Sequence, residues 1–272
     1  MSPDHTPSIA PSLTVLLCVN RSNPFLGESI DSVLAQSDSD FEFLIAANAC
    51  GDDLVDELRR LVGADPRVRI VRTAIGQLAF NLNLLASEAR GDYLVRMDAD
   101  DISLPNRIAR LRLGLREKPV DVLGSWAYVI DETGNRTGEY RLPLEHRDIV
   151  RRLPYGTVLC HPTVALRRQF LLDMRGYMGG FASEDMDLWL RGVRSGATYR
   201  NLPEHLLSYR VHSAQTSRSR QSYAEAASHW LRELLASPNG FVLKGFVVAL
   251  AKSLLSPLLK ARQRRTPAPR LT

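Results

Sequence analysis

Short apolar runs alternate with segments of helical spacing over the first hundred residues, and few folds accept that pattern. Residues 14–19, 41–47, 68–72 and 93–97 read as strands. Between them, residues 25–36 carry Leu26, Ile30, Val33 and Leu34 at helical spacing. Residues 52–62 form a second helical segment, and residues 77–89 place Leu78, Leu82, Leu85 and Ala89 on one side. Strand and helix in strict alternation imply a mostly parallel sheet with helices on both faces. The second half is less regular. Residues 120–130 read as a strand pair broken near Gly124-Ser125, with a turn at residues 131–135. Residues 158–166 read as a strand bearing His161-Pro162, residues 184–194 as a helix, and residues 206–211 as a last strand ending at His212.

From Ser222 onward only helices are expected, over residues 222–236 and 241–259, with Pro257 near the end of the second. The charge is divided in the same way. Of the net +5, residues 205–272 hold 11 Lys and Arg against 2 Asp and Glu, while the remainder holds 24 against 28. A mildly acidic body excludes a nucleic-acid binder, and a basic tail suits an anionic membrane surface. Lys244 and Lys252 argue against a spanning helix, which needs about 20 apolar residues. The segment therefore reads as an interfacial helix or as one packed on the body. Cys18, Cys50 and Cys160 form no Cys-x-x-Cys pair, so neither a disulfide framework nor a zinc site is expected, and a cytoplasmic setting fits. Residues 1–12 carry three prolines and no apolar core, as a flexible arm would.

Asp98-Ala99-Asp100-Asp101 follows the strand at 93–97, and Leu104-Pro105-Asn106-Arg107 reads as a Pro-started helix close behind. Carboxylates at the end of such a strand face the crevice where open α/β sheets bind ligands. Packed this closely they repel one another unless a cation joins them. Hard oxygen donors suit Mg2+ or Mn2+, commonly shared with substrate phosphates.

Taken in order, several segments resemble one family. They are Thr14-Val15-Leu16-Leu17; residues 28–37; Asp40-Phe41-Glu42; residues 89–93; residues 96–105; His161-Pro162-Thr163; residues 184–191; and Tyr209-Arg210-Val211-His212. Over residues 13–217 the chain resembles the glycosyltransferase family 2 enzymes. The resemblance implies a GT-A fold, with a Rossmann-like, mostly parallel central sheet flanked by helices, followed here by a basic helical tail at 218–272. It also implies an inverting transfer from a nucleotide-diphosphate sugar to a saccharide or lipid-linked saccharide acceptor, in polysaccharide or glycolipid assembly.

The resemblance assigns residues as well. Asp100 would bind the divalent cation, Asp98 would reach the ribose or the metal shell, and Asp101 would support them. Asp185 would be the base that takes the acceptor proton, with Glu184 and His161 at the acceptor. His212 would complete the metal or diphosphate site. Asp187 and Trp189 would shape the pocket rather than react, with ordinary core as the alternative for Trp189. The nucleotide end departs from the family. Ala47 and Asn48 stand where two aspartates are usual, and Asn20 stands where tyrosine is common. Asn48 can still read a base edge, so uridine, thymidine and guanosine donors stay open. The same departure admits a non-catalytic sugar-nucleotide-binding scaffold in a membrane assembly complex. A haloacid-dehalogenase-type phosphatase would need an aspartate after the first strand, where Cys18-Val19-Asn20 stands. A nucleotidyltransferase would need a Gly-rich N-terminal loop, which is absent.

Overall fold

The computed structural model describes residues 11–180, 182–212 and 220–263, with residues 220 and 256–263 by backbone alone. The arm expected at 1–12 lies outside these except for its last two residues, as do residues 213–219 and the end of the basic tail.

In chain order the strands are β1 Leu13–Val19, β2 Glu42–Asn48, β3 Val68–Thr73, β4 Tyr93–Met97, β5 Ile102–Ser103, β6 Val122–Ile130, β7 Arg136–Tyr140, β8 Ala165–Arg167 and β9 Tyr199–Arg210. The helices are α1 Leu26–Leu34, α2 Asp52–Val62, α3 Leu78–Glu88, α4 Arg107–Glu117, α5 His146–Arg152, α6 Arg168–Asp173, α7 Glu184–Ser195, α8 Arg220–Ala236 and α9 Gly240–Gln263. One sheet runs β3-β2-β1-β4-β8-β6-β9-β5, with β7 on β6. β3, β2, β1 and β4 are parallel, as their helical crossovers require. β8 joins this half to β6 in the antiparallel sense, and β6 runs parallel to β9.

The order 3-2-1-4 puts the chain reversal beside β1. The carboxyl ends of β1, β2 and β4 therefore open onto one crevice. Strand alternation splits the core into two layers. Leu17, Ile45 and Val95 face Ile30, Leu58 and Leu111 on one side. Leu16, Leu44 and Leu94 face Leu82, Leu85, Leu188 and Trp230 on the other. The second layer thus includes α8 and α9, through Ala227, Trp230, Val242 and Ala249.

Four local expectations need correction. Residues 120–130 are one strand, not two; the irregularity at Ser125–Trp126 is a register shift against β9. His161–Thr163 is a 3-10 turn and not strand, so His161 is not extended. The last strand is twelve residues long, because its first half is covered by β6 and by the chain at Leu144. Helix α4 begins at Arg107 and not at Pro105, since β5 first pairs with β9. The backbone of α9 also continues beyond Pro257.

Candidate active site

The loop after β4 is clamped by the polar face of α1. Ser29 Oγ donates to the Asp98 carbonyl at 2.9 Å, and Ser32 Oγ accepts from the Ser103 amide at 2.9 Å. Buried Gln36 donates to the Leu104 carbonyl and accepts from the Ile108 amide. From the opposite side, Arg210 at the end of β9 donates its backbone N–H to Asp101 Oδ1 and its Nε to the Asp100 carbonyl, both at 2.8 Å. The strand end so anchored brings His212 Nε2 to 2.8 Å from Asp100 Oδ2.

One carboxylate oxygen each of Asp98, Asp100 and Asp101 lie within 4.8 Å of one another. Burial and the Asp98 charge push the Asp100 carboxyl upward. Burial, with Asp98 and Asp100 beside it, holds Asp101 well above the ordinary carboxylate range. Asp101 is fully buried, and its Oδ2 has no hydrogen-bond partner among the described residues. Clustered acids, an orphaned oxygen and an imidazole make a donor set that fits a hard divalent cation. Beneath them lies Arg96, 3% exposed, donating to the Met97 carbonyl and to Asp98.

At the other end stands the N-terminus of α7. Burial, and then the neighbouring Asp185, push the Glu184 carboxyl up to about 7. Burial also raises Asp185, although its Oδ1 accepts from the Met186 amide. His161 Nε2 lies 2.9 Å from the Tyr177 hydroxyl, and Nδ1 lies 3.8 Å from Glu184. Burial, aided by Arg96, drives the His161 pKa well down, so the ring is neutral at physiological pH. Asp187 does not line the pocket. It is wholly buried and bonded to Arg191 at 2.8 Å and Arg232 at 2.5 Å. Trp189 is core.

At the nucleotide end, Asn48 donates Nδ2 to the Val19 and Ala46 carbonyls, which leaves its side-chain oxygen as an acceptor. Ala49 follows in the left-handed region at φ 46°. It packs so close to Gly76 that a Cβ there would lie 2.9 Å from its own.

A cavity of about 600 Å³ joins these ends, lined by Asn48, Asp98, Asp100, His161, Glu184 and Asp185 among others. His212 reaches it through Asp100, and Asp101 sits behind. Arg96, Tyr177 and Arg210 also build the site, and the sequence motifs assign them no role. For Arg96 there was a signal: an arginine inside an otherwise apolar, buried strand needs a specific partner. Tyr177 offers none, because only the fold brings its loop to His161.

The family model for glycosyl transferase family 2 matches residues 14–175, more than half of the chain. The chain belongs to glycosyltransferase family 2. Among relatives, this glycosyltransferase is 38% identical over 227 residues to the O-antigen biosynthesis glycosyltransferase WbnJ of Escherichia coli, covering 82% of this chain and 89% of that one. The mannosyltransferase PcManGT from Pyrobaculum calidifontis, solved with GDP-Man and Mn2+, superposes with a TM-score of 0.67 at 15% identity, covering 97% of this chain and 78% of that one. S. aureus TarS 1-349 with UDP-GlcNAc superposes at 0.66 and 14% identity, over 90% and 81%. These likenesses give the family 2 chain its fold, GT-A. Asp185 and His212 lie beyond the segment that the family model matches.

Proposed function

We propose that this family 2 protein transfers a sugar, with inversion, from a nucleoside diphosphate sugar to an acceptor hydroxyl during assembly of O-antigen or a related surface polysaccharide. One observation carries the reading. Asp98 and Asp100 line one end of a single cavity, and Glu184 and Asp185 line the other. The identity to an O-antigen glycosyltransferase supports the polysaccharide product, and neighbours solved with GDP-Man and UDP-GlcNAc support a nucleotide-sugar donor.

Asn48 would read the base edge, with its amide nitrogen already held by the fold. Asp98, Asp100 and His212 would hold a divalent cation, which when bound offsets the charge of the diphosphate. Asp185 takes the acceptor proton. The acceptor oxygen then bonds to the anomeric carbon on the face opposite the diphosphate. The old carbon–oxygen bond breaks, and its electron pair leaves with the nucleoside diphosphate. A base works best with a pKa close to working pH, and burial moves Asp185 in that direction. Glu184, raised to about 7, is partly protonated at neutral pH, so the adjacent pair need not carry two full charges. Neutral His161 fits an acceptor-side hydrogen-bonding role. The protein would work at the cytoplasmic face of the membrane.

The test is nucleoside diphosphate release from UDP-, dTDP- and GDP-sugars, with Mn2+ or with chelator, using a membrane lipid extract as acceptor source. Release from one donor that needs the metal is expected. Asp185→Asn should slow it by about 10²–10⁴-fold, as loss of a general base does. Metal-dependent binding of a donor without release, even with acceptor, would return the scaffold reading. Full activity in both Asp185→Asn and Asp100→Ala would overturn these roles.

A further inference from the structure

Helix α9 is apolar on the wrong side as well as the right one. Val242 and Ala249 are buried against the body, and Gly245 lies so close to Trp230 of α8 that a Cβ would come within 2.3 Å of its ring. The rest of its surface should be polar. Instead Leu243, Val247, Leu250 and Leu254 follow at helical spacing and are 50%, 55%, 40% and 66% exposed. Four large apolar side chains on one exposed helix face form a stripe that water does not favour.

The charge of this part of the sequence has one sign. From Leu234 to Thr272 there is no Asp or Glu, and there are seven Lys or Arg. Two copies meeting through such a segment would repel each other, whereas an anionic surface would attract it. No helix among the described residues is long and apolar enough to cross a bilayer. What remains is a helix lying in the interface with its apolar face down.

From another side of the same helix, α9 also contacts the rim of the cavity. Lys252 of α9 donates to the Tyr155 carbonyl, and Lys244 Nζ lies 5.7 Å from the Tyr155 ring centre. Two residues further on, Thr157 lines the cavity, as does Ser222 of α8. We propose that the exposed Leu243–Val247–Leu250–Leu254 face of α9 docks on an anionic phospholipid surface, holding the cavity rim at residues 155–157 beside the bilayer. An acceptor carried on a lipid would then reach the cavity without leaving the membrane.

Co-sedimentation of the full chain with vesicles tests this without any assay of transfer. The vesicles are phosphatidylcholine alone, or with about a third of phosphatidylglycerol, the range in which basic segments bind. Binding to the anionic vesicles is expected, weakening at high salt and at least about tenfold weaker on neutral ones. Val247→Glu with Leu250→Glu should reduce it by about tenfold or more. Both positions are exposed, so the thermal midpoint should match the parent; Val247→Ser serves as a milder variant should the double one unfold. Failure of the parent to bind anionic vesicles would overturn the proposal. So would unchanged binding by the variants, which would mean that charge alone acts. A concentration-dependent dimer that the same substitutions dissolve, without vesicle binding, would replace lipid by a second copy.

Discussion

Arg96 sets the energetics of the acid cluster. Its guanidinium is buried at the base of the site, with Nε unpartnered among the described residues and Asp98 as its ionic partner. Removing Asp98 relieves repulsion on Asp100 and Asp101 but strands the buried Arg96 charge, whereas removing Asp100 relieves repulsion and strands no arginine. Asp98→Ala is therefore expected to lower stability by about 3 kcal/mol, the scale for orphaning a buried ion. Asp100→Ala should be neutral or mildly stabilising without metal. Urea denaturation of the two variants in chelator checks the contrast, and equal losses would refute it. Glu184 gives a second residue-scale prediction. Its folded pKa of about 7 lies above the ordinary 4.5. Between these values the unfolded chain releases a proton that the folded chain keeps, so this residue lowers stability as pH rises through that window. Glu184→Gln should then gain roughly 1–3 kcal/mol over the parent at pH 8 and nothing below about pH 4.5. Thermal melts across that range would show a constant difference if the assignment is wrong.

At the scale of elements, α8 is braced on α7. Arg232 and Arg191 both hold Asp187 of α7, and Arg194 reaches Glu233 at 2.7 Å. Glu225 Oε2 accepts from the Ala182 amide and from Ser183 Oγ, and His229 meets the same hydroxyl at 3.1 Å. The three acids that open α7 thus divide their work: Glu184 and Asp185 face the cavity, and Asp187 fastens the next helix. Asp187→Ala leaves buried Arg191 without its ionic partner and should lose about 3–5 kcal/mol. Arg232→Ala leaves Asp187 with Arg191. Because Arg232 is 42% exposed, it should lose only about 1 kcal/mol. Denaturation midpoints of the pair separate a shared node from two independent surface bridges.

For the whole molecule, the crevice gathers four acids at its two ends, with buried Arg96 beneath them and neutral His161 beside them. A cation with a nucleoside diphosphate should complete the metal end and stabilise the fold by mass action. Mn2+ together with UDP, dTDP or GDP at about a hundredfold excess over its dissociation constant should add about 3 kcal/mol. The shift should vanish in Asp100→Ala. A rise in thermal midpoint that survives this substitution would place the cation elsewhere.

The parallel half of the sheet was legible because hydrophobic period and turn residues are local. β1, β2 and β4 are mainly apolar runs, with Arg96 the exception in β4, and such runs have few other uses; β3, with Arg69 and Arg72, was marked by its place between two helical segments. That Asp98, Asp100 and Asp185 would lie at strand and helix ends facing one cavity was legible too, since each stands directly beside a well-marked element. Long-range pairing was not. The full length of β9 depends on β6, and the 3-10 turn at His161 depends on contacts from β4 and β6 that no local pattern encodes. Asp187 and Asp185 look alike in the chain; one becomes a buried ion-pair node only because α8 brings Arg232 to it. Composition and periodicity act over a few residues, so they determined the elements and the metal-side motif. Burial and charge pairing are set by residues as far apart as Glu28 and Arg210, 182 positions along the chain, so only the tertiary structure decided which acids line the cavity and which hold the fold together.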